Sequence, residues 1–306
     1  MKSLLFIGGT GFLGQSFFDY LDQGNLKGLK LSHIIIISRK TKKIKSNYKI
    51  SFIKKNIKDI KKIPITNYII YAANSSDNKE NLAGFNNFKR LLNKDHKNTK
   101  ILFTSSGAVY GQREIKKNME ENDSLSLTKI NKFTGYKKNY AKTKIILEKE
   151  FKRLGKKGFK VSIARLFSFI GKRVFINKNF AITNLINQAK NNKSDSILIS
   201  DNRDVYRSYM NSNDLIRWLI SILINSNKSC NIYNVGSDEA ISIENLAKLI
   251  SIKYNKKVKK KYNLSFDNNK RVIDYYVPSI SKAKSELNLK LRYKLDKSLK
   301  NLLNNN

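Results

Sequence analysis

The sequence predicts an α/β fold, a doubly wound parallel sheet with a smaller mixed lobe toward its C-terminal end. Three observations carry that expectation. Short runs rich in Ile, Val, Leu, Phe and Tyr alternate with helical patterns through the first half of the chain. Several of those runs are apolar without interruption, as strands covered on both faces should be. A glycine-rich turn joins the first run to the first helical pattern, the place where such sheets cradle a phosphate. At 306 residues the chain can build one large domain, or a large and a small one, with a sizeable core.

The elements follow in order. Ser3–Gly8 reads as the first strand and Phe12–Asp22 as the first helix. His33–Ile37, Ile50–Ile53 and Tyr68–Ala72 are the next strands, and Asn78–Asn93 the next helix. Ile101–Thr104 is a strand that the hydroxyls and small residues of Ser105–Gly111 are expected to end. Tyr136–Leu154 is helical and Val161–Leu166 extended, with Gly24, Gly155 and Gly158 punctuating helix ends. Past about residue 170 the alternation loosens. Helices are expected at Asn179–Asn191, Ser212–Asn225, Ser242–Tyr254 and Asp296–Leu303, and strands at Ile197–Ile199 and Ile232–Val235. The division expected is 1–170 for the sheet domain, with a strand and a helix returning from the second half, and 171–306 for the lobe. Lys256–Lys261 reads as a solvated lysine patch.

Composition narrows the class. No run of 18 apolar residues occurs, so no membrane-spanning helix is expected. The apolar N-terminus breaks at Gly8-Gly9 with no cleavage pattern behind it, and reads as a strand. Cys230 is the one cysteine, so no intrachain disulfide can form, which fits a reducing cytoplasm. His33 and His96 lie far apart in sequence with no carboxylate cluster around them, and no metal site is expected. The net charge is +38. The excess is mostly lysine spread from end to end, which reads as compositional drift and not as a nucleic-acid surface, so no specific nucleic acid is expected as a partner.

Ile7–Gly14, IGGTGFLG, spaces Gly8, Gly11 and Gly14 as G-x-x-G-x-x-G between strand and helix. The first glycine allows the tight turn, the second the approach of a pyrophosphate to the helix N-terminus, the third close helix–strand packing. The second strand ends Ile37-Ser38-Arg39-Lys40, with no acid to hold the ribose hydroxyls of NAD. A hydroxyl and two cations suit the 2′-phosphate of NADP, so NADP is the expected coenzyme and NAD the alternative. Further along, Tyr140 and Lys144 stand one turn apart on a helix. An ammonium so placed would stabilise a phenolate and tune the tyrosine for proton transfer.

The glycine loop, the serine loop SSGAVYG (Ser105–Gly111) and the helix YAKTKIILE come in that order. Here the sequence resembles the extended short-chain dehydrogenase/reductase family, the nucleotide-sugar epimerases, dehydratases and ketoreductases. ARLFSFIG (Ala164–Gly171), YRSYMNSNDL (Tyr206–Leu215), YNVGSDEAIS and RVIDYYVPSISKAKSELN are similar to later family segments, so the likeness spans nearly the whole chain. It implies a Rossmann-type sheet and a C-terminal lobe that binds a nucleotide-diphosphate sugar. It implies Tyr140 as acid/base, Lys144 on the nicotinamide ribose, and Ser106 on the reacting sugar oxygen. Gly8, Thr10, Gly11, Phe12, Leu13, Ser38, Arg39, Asn56, Ile57, Ala72, Ala73 and Phe167 match coenzyme positions, and Asn179, Arg207 and Arg271 match substrate positions. Ser168 replaces the usual Asn, and Ser208 the usual Asp after Arg207. The family also implies a cytoplasmic homodimer, paired through the helices at Asn78–Asn93 and Tyr136–Leu154.

The family's dehydratases carry Asp-Glu after the serine-loop hydroxyl, and its 3,5-epimerising reductases a cysteine in that loop. Gly107 and Ala108 stand there and can move no proton. Two reactions remain. One is reduction of a nucleotide-linked 4-keto-6-deoxy sugar by NADPH, the expected one. The other is 4-epimerisation with a retained NAD(P). A non-catalytic RNA-binding derivative is a third, lesser reading, which the retained Tyr140, Lys144 and Ser106 oppose.

Overall fold

A computed structural model describes residues 2–24, 29–44, 46–176, 180–191, 193–201, 203–260 and 272–304. In chain order the elements are β1 (Lys2–Ile7), α1 (Phe12–Asp22), β2 (Leu31–Ser38), β3 (Lys49–Lys54), β4 (Tyr68–Tyr71), α2 (Asn78–Leu91), β5 (Lys100–Ser106), α3 (Leu127–Asn131), α4 (Gly135–Lys156) and β6 (Lys160–Leu166). There follow β7 (Phe169–Ile170), α5 (Ala181–Lys190), β8 (Ser196–Ile199), β9 (Asp204–Arg207), β10 (Met210–Asn211), α6 (Ser212–Ile224) and β11 (Asn231–Val235). The chain closes with β12 (Ile241–Ser242), α7 (Ile243–Tyr254), β13 (Lys257–Lys260), β14 (Ile273–Tyr276), α8 (Ser281–Leu287) and α9 (Leu295–Asn304).

Seven strands form a parallel sheet in the order β11-β6-β5-β4-β1-β2-β3. Alternation along each strand feeds two cores. Leu4 and Phe6 of β1 pack with Phe17 and Phe18 of α1 and Trp218 of α6. Leu5 and Ile7 pack on the other face with Phe85 and Phe88 of α2 and Leu147 and Phe151 of α4. Full burial of such a side chain is worth about 1.5–3 kcal/mol against exposure. Because both faces are covered, the central strands run largely apolar, and polar groups they carry, such as Ser162 and Arg165 of β6, are buried.

A third core gathers α5, α7 and α9 around the parallel pair β8–β13, with Ile182, Leu246 and Leu299 fully or nearly buried. A three-stranded sheet, β12-β9-β14, stands nearby in the chain's second half.

Several expectations need correction. β5 does not stop at Thr104 but runs to Ser106, paired in register with Leu166 of β6. Backbone pairing carries it through the hydroxyls, and the turn Gly107–Tyr110 begins only after them. α2 ends at Leu91 because Asn93 caps the next short turn, sharing a reciprocal pair of bonds with His96. Lys257–Lys260, part of the expected solvated patch, is a strand. Its backbone pairs with β8 and Val258 turns to the third core, while its lysines stay largely in water. β7, β9, β10, β12 and β14 were also not anticipated, being two to four residues long and too short to show a period.

Candidate active site

One cavity of about 1000 Å³ runs along the C-terminal ends of the central strands. Its walls begin at the glycine loop. Gly8 has φ +85°, and a Cβ there would stand 2.8 Å from the backbone of Ala72 and Ala73. A side chain at this point would be both strained and blocked, so the β1 turn and the β4 end can close together only over glycine. Gly11 caps α1, whose free amides open on the cavity. Thr10, Phe12 and Leu13 line it too, and Phe12 stacks on Phe169 at 4.6 Å.

At one end the lining is Ser38, Arg39, Asn56 and Ile57, with Ala72 and Ala73 crossing the middle. Thr10 Oγ1 and Ser38 Oγ share a hydrogen bond of 2.7 Å. A carboxylate that sequence reasoning missed stands among them. Glu80 of α2 pairs with Arg39 and accepts from Asn56. A bond from Ser75, then those of Asn56 and Arg39, holds its carboxyl below the usual range.

At the other end lie Ser106, Tyr140, Lys144 and Phe167. Strand alternation sorts the two adjacent serines. Ser105 turns inward and donates to Glu148 at 2.6 Å. Ser106 turns to the cavity, where its hydroxyl accepts from the Ala108 amide at 3.2 Å and meets the hydroxyls of Tyr140 and Tyr276. Lys144 is buried, 4% exposed, and donates to the Thr104 carbonyl at 3.0 Å. Burial pushes it down to about 8, against a smaller upward pull from Glu148. Burial pushes Tyr140 up, and the Ser106 bond offsets this only in part. The expected lowering of Tyr140 by Lys144 is therefore not what this geometry produces. The ammonium stays 5.5 Å from the ring centre, held by a carbonyl, and Tyr140 keeps its proton at neutral pH. Tyr136, one turn before Tyr140 on α4, is half exposed and stacks on it at 5.7 Å.

Tyr276 was also missed. It comes from β14, far along the chain, and packs on Phe167 at 4.7 Å. Burial pushes it up to about 12. Together these two rings explain the glycine of the serine loop. A Cβ on Gly107 would lie 2.7 Å from the Phe167 ring and 2.8 Å from the Tyr276 hydroxyl. Ser168 lines the cavity where the resembling family has Asn.

Beneath the serine loop lies a buried polar network. Arg165 grips Glu148 with Nε at 3.0 Å and Nη2 at 2.8 Å, both side chains 2% exposed. Its Nη1 donates to Tyr110 at 2.8 Å, and Tyr110 donates to Asn234 at 2.7 Å.

The substrate residues are less gathered. Arg207 does not line the cavity. Its guanidinium binds Asp274 at 2.9 Å and two backbone carbonyls, and lies 5.8 Å from the Tyr276 ring centre. A carboxylate as buried as Asp274 needs a cation beside it. Asn179 and Arg271 lie outside the described residues.

Comparisons with known proteins agree with this geometry. Residues 4–236 match the family described as NAD dependent epimerase/dehydratase. The fold is similar to dTDP-glucose 4,6-dehydratase from Bacillus anthracis, solved with NAD, at TM-score 0.77 and 17% identity over 99% of this chain and 96% of that one. It is similar to UDP-glucose-4-epimerase from Stenotrophomonas maltophila, solved with NAD and formylated UDP-arabinopyranose, at TM-score 0.75 and 15% identity over 99% and 97%. A third likeness is UDP-N-acetylglucosamine 4-epimerase from Methanobrevibacter ruminantium, solved with UDP-N-acetylmuramic acid, at TM-score 0.72 and 19% identity over 99% and 97%. The sequence finds no match among curated proteins. With a matched region that spans glycine loop, serine loop and Tyr140–Lys144 helix alike, the chain belongs to the NAD dependent epimerase/dehydratase family.

Proposed function

We propose that this protein reduces a nucleotide-activated 4-keto-6-deoxy sugar with NADPH, and that Tyr140 gives the proton. The observation that carries the reading is the pairing of a protonated, desolvated Tyr140 with Ser106 in a dinucleotide-sized cavity. A nicotinamide coenzyme supplies hydride when bound there. Gly8, Gly11 and the α1 amides would hold its phosphates, Ser38 and Arg39 its adenosine end, and Lys144 its nicotinamide ribose. Ser106 orients the carbonyl oxygen of the sugar by hydrogen bonding. Tyr140 donates its proton to that oxygen as it gains negative charge, and a raised pKa suits a group that must arrive protonated. Lys144, its ammonium held by the Thr104 carbonyl, would act on the ribose and not on the phenolate.

Dehydration needs a group able to draw a proton from carbon. Gly107 offers none, and the space beside it is filled by Phe167 and Tyr276. Burial holds the proton on Tyr276. Arg207, with Asn179 and Arg271, would bind the nucleotide diphosphate once a lobe rearrangement freed its fork. We infer a cytoplasmic enzyme. We also infer that α2 and α4, which pack together and leave Ile146 45% exposed, pair two copies.

One observation favours 4-epimerisation with a retained NAD as the second reading. Glu80 neutralises Arg39, which weakens the case for a 2′-phosphate. The test is NADPH oxidation by the purified protein on a panel of nucleotide-linked 4-keto sugars, together with the mass of any coenzyme that co-purifies. Net oxidation lost in Tyr140→Phe supports the reductase. Tightly held NAD with sugar interconversion and no net oxidation refutes it.

A further inference from the structure

The second strand ends without an acid, in Ser38-Arg39-Lys40, yet the cavity wall beside it carries one. Glu80 sits in the first turn of α2, well apart in sequence from the strand where coenzyme selectivity is normally read. Its carboxylate is 3.4 Å from Arg39 Nη1 and accepts from Asn56 Nδ2. The glutamate side chain is 19% exposed and the arginine 60%, so the acid is the fixed member of the pair. Glu80 is also tied to the start of α2 through Ser75, which bonds its carboxylate and takes the amide of the cap, Asp77; that tie fixes the acid beside Arg39.

We propose that Glu80 sets the coenzyme preference of this protein by opposing a 2′-phosphate at Arg39. The proposal rests on the reading of this cavity as a coenzyme site. Glu80 acts in two ways. It occupies the guanidinium that a phosphate would otherwise bind, and it places a like charge beside that phosphate. A ribose hydroxyl meets neither obstacle, because it can donate to the carboxylate. Ser38, Arg39 and Lys40 alone would select strongly for NADP, and Glu80 draws the balance back so that NAD(H) competes. Selectivity is therefore set by a residue on a different element from the cations it restrains.

The experiment is direct binding of NADPH and of NADH to the full-length protein, without sugar, by fluorescence titration at low and high salt. Wild type, Glu80→Gln, Glu80→Ala and Arg39→Gln are compared, with melting curves to verify folding. Removing one like charge at this distance should tighten NADPH about five- to tenfold; NADH should stay within about twofold in Glu80→Gln, whose amide oxygen still accepts from the ribose, and weaken in Glu80→Ala. The gain should shrink in high salt. Arg39→Gln should weaken NADPH and spare NADH. If both coenzymes bind but both Glu80 variants keep the wild-type NADPH/NADH ratio within about twofold, the proposal is overturned while the cavity reading stands. If the wild type binds neither coenzyme, the cavity reading fails and the proposal with it.

Discussion

Lys144→Met should make the protein more stable and inactive. Lys144 is buried beside Phe103 and Tyr140 with one hydrogen bond, to the Thr104 carbonyl. Its burial lowers the ammonium from the ordinary 10.5 to about 8. That difference corresponds to about 3 kcal/mol charged against folding. The sign follows from proton counting. Between pH 8 and 10.5 the unfolded chain binds the proton and the folded one does not, so stability rises with pH across that window. Below pH 8 the cost is present in full. Methionine fills the same channel without a charge; it loses the bond to Thr104, worth about 1.5–3 kcal/mol in the charged form, and the smaller attractions to Glu148 and to the Phe103 and Tyr140 rings. A net gain of at most about 2 kcal/mol at pH 7 is expected, fading to nothing or reversing by pH 10.5. Urea denaturation of the two proteins across pH 7–10.5 measures the difference and cancels the other lysines. A gap that does not change with pH would refute the argument, as would turnover retained in the variant.

Two further outcomes follow from the neighbouring packing. Glu148→Gln leaves Arg165 buried without its counter-charge and should cost about 3–5 kcal/mol in urea denaturation, whereas the double change Arg165→Met with Glu148→Leu should recover most of it. Gly107→Ala forces a methyl against Phe167 and Tyr276 and should cost about 1–3 kcal/mol, with turnover falling because Ser106 shares that turn; Phe167→Leu in the same chain should restore part of both.

What the sequence made legible was whatever is local. The glycine loop, Ser106 and the Tyr140–Lys144 pair each sit on a strand–turn–helix segment whose spacing places them without knowledge of the rest. Glu80 and Tyr276 were not legible for the converse reason. One reaches Arg39 from a different layer of the fold, the other reaches Ser106 from a strand 170 positions away in the chain, and neither belongs to a pattern that names its neighbour. The direction of the Tyr140 shift was missed because spacing along a helix reports proximity and not burial. Lys144 is one turn away, but its proton is directed at Thr104. The short lobe strands escaped because two to four residues cannot display a period.

The last strand of the central sheet has a consequence for how the protein is made. β11 lies against β6 in register from Ser162 to Leu166, and its Asn234 accepts from Tyr110, which Arg165 holds in turn. A ribosome must therefore translate as far as Val235 before β6 gains its second neighbour and the serine loop its floor. Until then a seven-residue strand, Lys160–Leu166, waits with one unpaired side. Such a side templates pairing with another chain. A fragment cut at the apparent end of the nucleotide-binding half, near residue 170, would inherit that exposure permanently. It should aggregate through that strand edge, where a fragment ending after α6 and β11 should not.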